Sequence, residues 1–348
     1  MITVENSTVS KLRSLEKCFF LEASPPFTRT VQLSYVITIV LDAIFAIFAV
    51  IGNGTVMISL KQTKSLHSPS NVLLCSLVAS DFLTGLVLQP LATGFKLEEI
   101  QGNWKESCYI RLVFNRSMWM LSPVTFISLV GISVERYLAL YLHLRYKTVV
   151  TMHRMVITVL GIWTVSATII ILEPLGLPRE TFNYIISVLI LLGVSVITTC
   201  SVKIFKIIQQ HQSKIKSMTQ NEAETSRGRV RMVKLRKSSA TMCFIVGIFL
   251  VCYMPFVGCL VAQFAIGYTS QVQAAKSYCA TLVFLNSSFN VPIYCARIGE
   301  IRKAMKRTWQ HFCCLKRNFR RTHSNNGQSS FNTSRTVRKQ ETFSETMV

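Results

Sequence analysis

The residues best placed to do chemistry sit in apolar surroundings. Glu135, Arg136 and Tyr137 follow one another at the end of a long hydrophobic segment, Cys108 to Tyr141. A carboxylate beside a guanidinium is costly in hydrocarbon, so the pair must lie at a membrane edge or face a protein interior. Asp81 lies midway along another apolar stretch, and Asn53, Asn286 and Asn290 lie in two more. With no water to satisfy them, these four groups are expected to converge inside a helix bundle, where a hydrogen-bond cluster between helices is the simplest outcome. Asp42 is a further carboxylate, in the outer half of the first apolar stretch. A functional role and a position near the headgroups are both open to it. Catalytic sets are missing. All six histidines (67, 143, 153, 211, 311, 323) fall between or beyond the apolar stretches, with no His-Glu-x-x-His and no Ser-His pair inside one, so no enzyme is expected.

The elements that must position these groups are membrane-crossing helices. Half of the 348 residues are hydrophobic and only 16% are charged. The charges cluster between stretches of the roughly 20 residues that a bilayer crossing takes. Seven such stretches run at about Ser34–Leu60, Ser70–Phe95, Cys108–Tyr141, Met155–Leu172, Phe182–Ile208, Ser239–Ile266 and Gln273–Ala296. The expected fold class is an all-α membrane protein: a seven-helix bundle, followed by a short amphipathic helix on the membrane surface. Net charge is +22, but the lysines and arginines gather in alternate loops and the C-terminal tail. That is the bias of cytoplasmic loops, not a nucleic-acid footprint. It is expected to leave the N-terminus outside and the C-terminus in the cytoplasm.

Four regions follow from this pattern: an outer tail (1–33), the bundle (34–298), an amphipathic segment (299–314) and a tail of low hydrophobicity (315–348) expected to lack order. The outer tail has no basic start with a sustained apolar run, so the first span is expected to serve as its own insertion signal. Asn6 in Asn-Ser-Thr is a candidate glycan acceptor, and an unused sequon is the alternative. Cys313-Cys314 closes the basic amphipathic segment and suits palmitoyl anchoring. Five of the eleven cysteines, Cys75, Cys200, Cys243, Cys252 and Cys295, fall inside spans and read as packing residues, while Cys18, Cys108, Cys279 and Cys259 lie toward the outside. The last four residues, with Thr346 and the aliphatic Val348, resemble a ligand for PDZ domains.

Taken together the spans resemble the rhodopsin-like, class A, G-protein-coupled receptors. The resemblance rests on Gly52-Asn53 in the first span, Leu77-Val78-Ala79-Ser80-Asp81 in the second, Glu135-Arg136-Tyr137 in the third and Trp163 in the fourth. It continues with Cys252-Tyr253-Met254-Pro255 in the sixth and Asn286-Ser287-Ser288-Phe289-Asn290-Val291-Pro292-Ile293-Tyr294 in the seventh. Tyrosine replaces a tryptophan in the sixth-helix element, and the seventh-helix proline stands one place late. The short loop after the fourth span and a fifth span without proline are nearest to the melanocortin, adenosine and lipid-receptor branch.

The resemblance implies a set of roles. Glu135, Arg136, Tyr137 and Tyr294 would serve G-protein coupling, with Arg136 paired to Glu135 at rest and released as the sixth helix moves outward. Asn53, Asp81, Thr125, Asn286 and Asn290 would form a polar core able to hold an allosteric sodium ion, with oxygen ligands suited to a hard cation. No other cofactor is implied. Tyr253, Pro255 and Pro292 would form the activation switch. A second clamp on Arg136 is missing, since Leu235 stands where many relatives keep an acid, and raised basal activity is expected. Heterotrimeric G protein, arrestin, receptor kinases and the lipid bilayer are the implied partners. Cys108 lies about a turn farther out than the family's usual cysteine and lacks its customary partner, so it is free or paired with Cys18 or Cys279.

The ligand stays open. Met118 stands eighteen residues before Arg136, where amine receptors keep an aspartate, and Phe284 stands where opsins keep a lysine. A pocket lined by Asn115, Met118, Trp119, Ser122, Tyr253, Phe256 and Phe284 suits a small or amphipathic ligand that is not a typical biogenic amine. Ordinary bundle packing would need the same residues. A non-signalling or decoy receptor is the alternative function. A transporter would show internal repeats or broken helices, and none is visible.

Overall fold

In a computed structural model of the chain, the described residues are 25–142, 145–172, 179–217, 247–297 and 299–310. All regular structure among them is helical. Seven helices are long and apolar enough to cross a membrane: α1 (Arg29–Gln62), α2 (Pro69–Gln101), α3 (Trp104–Tyr141), α4 (Met152–Leu172), α5 (Arg179–Ser217), α6 (described over Gly247–Ile266) and α7 (Ser270–Arg297). The end of the bundle carrying Glu135 is termed inner and the opposite end outer. The chain divides into two compact units, Met1–Arg302 and Lys303–Val348, and the seven-helix bundle belongs to the first.

The helices outrun the apolar stretches that announce them. The second span was expected to end near Phe95, yet α2 continues to Gln101 and includes Lys96 and Glu99. Both charged residues are buried, so helical pairing rather than hydropathy decides where α2 stops. Gly102, at φ 83°, adopts the left-handed backbone that ends the helix, and its N–H bonds back to the carbonyls of Glu98 and Glu99. Within α2 a π turn spans Thr84–Leu88, immediately before Pro90. The extra residue per turn loosens the backbone where a proline cannot donate. Pro123 lies inside α3 and Pro292 inside α7 without ending either helix.

The core is apolar on the outer side of α1, α2, α3 and α7. Val31, Tyr35, Leu88, Ala92, Phe95, Leu121, Ala274 and Phe284 pack as one cluster. A chain of ring contacts threads it, from Phe27 to Tyr35, Phe95, Phe114 and Phe284, edge-on except for the tilted Phe95–Phe114 pair. The opposite surfaces carry exposed large residues such as Phe48, Leu191, Val251, Val261 and Phe264. In water such a surface would drive association, whereas against lipid tails it matches its surroundings. Residues 299–310 form a further helix, α8, whose buried positions Ile301, Ala304, Met305 and Thr308 share one face. Arg302, Lys303, Lys306 and Arg307 are exposed on the other, which is the amphipathic pattern read from the sequence.

Candidate functional site

Three buried polar groups are built between the helices. At the inner end Glu135 is held from several directions. Arg136 Nε lies 3.3 Å from Glu135 Oε2. The hydroxyls of Ser70, at 2.7 Å, and of Tyr146 both donate to Glu135 Oε1. Ser70 and Tyr146 are also within 2.8 Å of each other. Tyr146 opens a one-turn helix (Tyr146–Val149) after α3, and that turn folds its phenol back onto the carboxylate. Partial burial, followed by the hydrogen bond and charge of Glu135, pushes the Tyr146 hydroxyl up to about 12. Tyr137 stacks on Tyr141 with ring centroids 5.5 Å apart, and Lys203 Nζ of α5 sits 5.4 Å from its ring centre. A cation over a phenol face is attractive, so α5 is tied to the same triplet.

The expected pair of Glu135 and Arg136 is therefore present, and Ser70 and Tyr146 are partners that sequence reasoning did not find. The signal was faint: a tyrosine in a basic loop and a serine at a helix start. Tyr294 is wholly buried, and its hydroxyl makes no hydrogen bond among the described residues. Leu235, the position of the missing second clamp, lies outside the described residues.

The middle group joins α1, α2, α3 and α7. Asn290 Nδ2 donates to Asp81 Oδ2 at 2.7 Å. Asn53 Nδ2 donates to the carbonyls of Ala49 and Ser287, each at 3.0 Å. Thr125 pairs through its hydroxyl with Ser80 at 3.0 Å rather than with Asp81. Trp163 of α4 donates to Ser76 at 3.1 Å, and Ser76 meets Ser128 of α3 at 3.1 Å. Asp81 Oδ1, Asn53 Oδ1, Asn286 Oδ1 and Asn290 Oδ1 are buried without a hydrogen-bond partner among the described residues. Unsatisfied buried acceptors are costly. Oxygens alone make up this unfilled set, which fits a small hard cation or water. Gln89, the residue directly after the π turn, is also fully buried with neither carboxamide atom partnered among the described residues.

The outer group was only half visible in the sequence. Asp42 is wholly buried, and Lys96 Nζ reaches its Oδ2 at 2.8 Å and Thr38 at 3.0 Å. Thr281 donates to Asp42 Oδ1 at 2.8 Å, and Thr38 meets Ser277 at 3.2 Å, so α1, α2 and α7 share the network. Beside it Glu99 receives Tyr35 at 2.9 Å and Ser107 at 3.2 Å, and faces Arg111 at 3.5 Å. Gln273 donates to the Tyr35 hydroxyl at 2.9 Å. Asp42 was noticed as an intramembrane acid. Lys96 and Glu99 were missed because they lie past the end assigned to the apolar stretch.

The residues expected to line a pocket differ in burial. Phe284 is fully buried in the outer apolar cluster, with Phe114 and Met118 packed there. Tyr253 stacks on Phe249 at 4.0 Å, and Phe249 stacks on Phe126 at 5.6 Å. The stack fits because Gly193 of α5 leaves room: a Cβ there would stand 2.5 Å from the Phe126 ring. Asn115, Trp119, Ser122 and Phe256 are half-buried, and Pro255 is exposed. Cys108 is disulfide-bonded. That bond removes the free state as an option for Cys108, and Cys279, a free thiol, is removed as its partner. Asn6, Cys18, Cys313, Cys314, Thr346 and Val348 lie outside the described residues.

Comparison with known proteins agrees with this layout. The model of the 7 transmembrane receptor (rhodopsin family) group matches residues 52–185 and 174–294. Trace amine-associated receptor 13c of Danio rerio is 26% identical over 77% of this chain and 83% of its own length. The Histamine H2 receptor of Homo sapiens is 25% identical over 88% of each chain. Trace amine-associated receptor 1 of Mus musculus is 25% identical over 76% of this chain and 86% of its own.

Proposed function

The chain belongs to the rhodopsin family of seven-transmembrane receptors, and from that membership we propose how this G-protein-coupled receptor carries its signal. It is a multi-pass membrane protein and not an enzyme. At rest Glu135 holds Arg136 beside Ser70 and Tyr146. Ligand binding at the outer side favours a second packing in which α6 moves outward and Arg136 is released to a heterotrimeric G protein. The held carboxylate is the observation that supports this most directly, because it is a charge-dependent contact with two possible arrangements. Tyr294 and the Tyr253–Phe249–Phe126 stack are the groups whose repacking would accompany the change.

The ligand is small or amphipathic rather than a typical biogenic amine. Relatives are named for trace amines and histamine. In this chain Met118 occupies the place of the amine receptors' aspartate, and the nearby acids Asp42 and Glu99 already hold Lys96 and Arg111. Asn53, Asp81, Asn286 and Asn290 would hold a sodium ion, which supplies a positive charge between α1, α2 and α7, while Thr125 braces α2 through Ser80. The receptor sits in the plasma membrane with the N-terminus outside. Arrestin, receptor kinases and a PDZ protein would meet the cytoplasmic loops and tail.

The test is a panel of G proteins with a ligand library, run on the wild type beside Arg136→Ala. Ligand-dependent nucleotide exchange lost in Arg136→Ala supports the reading. No exchange with any ligand and G protein, from well-expressed receptor, would instead favour a decoy.

A further inference from the structure

Two thiols meet between the helix expected to move and the helix that is most firmly tied. Cys259 of α6 and Cys279 of α7 bring their sulfurs to 3.5 Å, and both are free. Cys259 is half-buried, while Cys279 is 9% exposed. Cys259 lies seven residues before the end of α6 at Ile266, and Cys279 nine residues into α7 from Ser270. At 1.5 Å per residue both sit roughly 10–14 Å inside the outer helix ends.

A single buried cysteine ordinarily just packs. Two sulfurs in contact across a helix interface are different, because a disulfide needs about 2.05 Å between them and closure requires a shift of only about 1.5 Å. Rotation of the two side chains with a small approach of α6 to α7 covers that distance. Lys276 donates to Gln263 at 2.8 Å farther out along the same interface, so the two helices are already aligned there.

We propose that Cys259 and Cys279 are an oxidisable dithiol that closes to a disulfide and clamps α6 to α7. At this depth the oxidant must be small and uncharged, and hydrogen peroxide is of that class. The more accessible Cys259 thiolate attacks one peroxide oxygen, forming a sulfenic acid and releasing hydroxide, which takes up the proton lost from that thiol. Cys279 then attacks the sulfenic sulfur. The S–S bond forms, the second hydroxide leaves, and it takes the proton of Cys279. Two thiols are oxidised and one peroxide is reduced to two waters. Access through an apolar layer makes the reaction slow, so the pair registers sustained oxidation rather than brief pulses.

The effect on signalling rests on the outward movement of α6 proposed above. α7 is bound to α1 and α2 through Thr281–Asp42, Ser287–Asn53 and Asn290–Asp81. A covalent link to α7 therefore restrains α6, and oxidation lowers nucleotide exchange.

The experiment uses the full chain in lipid nanodiscs, treated with hydrogen peroxide and mapped as non-reduced peptides by mass spectrometry. Wild type is compared with Cys259→Ser and Cys279→Ser, and the Cys108 disulfide serves as internal standard. A peptide joining Cys259 to Cys279, lighter by two hydrogens and reversed by reductant, is expected in the wild type and in neither variant. Sulfenic or sulfinic acid on Cys259 without the joined peptide, or no modification at all, overturns the proposal. Exchange should fall on oxidation of the wild type alone. A joined peptide with unchanged exchange supports the dithiol and overturns the movement of α6 instead.

Discussion

Glu135 accepts from Ser70 and Tyr146 on one oxygen and faces Arg136 with the other, so its restraint is shared among three side chains. Losing one shared hydrogen bond to a carboxylate costs about 1 kcal/mol, roughly a fivefold change in a two-state equilibrium. Tyr146→Phe is expected to raise ligand-free nucleotide exchange by about that factor, read in membranes at matched receptor density. The pH dependence of this effect has a definite sign. Burial raises the Tyr146 hydroxyl to about 12, above the roughly 10 of an unfolded tyrosine. The neutral, donating form is thus favoured by the fold, fully present below about pH 10 and lost as pH rises through about 12. The ratio of Tyr146→Phe to wild-type basal exchange should stay flat from about pH 6 to 9. A ratio that changes across that range would mean that another group, not this phenol, sets the effect. The sequence displayed Glu135 and Arg136 because they are adjacent. It concealed Ser70 and Tyr146 because only the fold brings a helix start and a loop turn to the same carboxylate.

Between elements, the outer network poses an electrostatic question. Asp42 and Lys96 are both buried, and taking one away leaves the other charged without its partner. Breaking a buried pair from one side costs about 3–5 kcal/mol, whereas replacing both by apolar residues of similar volume is often neutral. Lys96→Met should therefore lower the unfolding temperature markedly in detergent, and Asp42→Leu with Lys96→Met should recover most of the loss. If the double variant were less stable than Lys96→Met alone, hydrogen bonds to Thr38 and Thr281 would outweigh the ion pair. A steric prediction concerns α5. The Cβ of Gly193→Ala would stand 2.5 Å from the rigid Phe126 ring. Overpacking of this kind costs about 1–3 kcal/mol. The same shift passes through Phe249 to Tyr253, so the variant should lose stability and also change agonist potency. Hydropathy could announce α2 but not its end. Lys96 and Glu99 read as solvent-facing by type, and only pairing with α1 and α3 keeps them helical and buried. Phe284 shows the converse: its register suited a pocket wall, and the structure packs it into the apolar cluster.

Across the whole molecule, the seven spans were legible because a bilayer imposes one length and one composition on every crossing helix. The pairing of Asp81 with Asn290 was legible for a related reason: buried polar groups have nowhere else to go in hydrocarbon, whereas Thr125 of the expected set bonds to Ser80 instead. What the sequence left hidden is how unevenly the helices are bound. Buried polar ties join α1, α2 and α7 at Asp42, Asn53, Asp81 and Glu99, and join α2 to α3 and α4 at Ser76 and Ser80. Among the described residues, no buried carboxylate ties α5 or α6 to that unit: they meet it through Lys203 over Tyr137, Phe249 against Phe126, and the Lys276–Gln263 hydrogen bond near the outer end. Ring contacts are less directional than a buried hydrogen bond and can slide, whereas a buried carboxylate that loses its donor is strongly penalised. Motion should therefore concentrate where rings rather than carboxylates hold the helices. Paired spin labels at the lipid-facing positions Val251 of α6 and Leu160 of α4 should show a ligand-dependent change in distance distribution. Labels at Phe48 of α1 and Leu282 of α7 should show the same distribution with and without ligand. A shift of the α1–α7 pair as large as that of the α6–α4 pair would mean that the polar ties do not define a fixed frame.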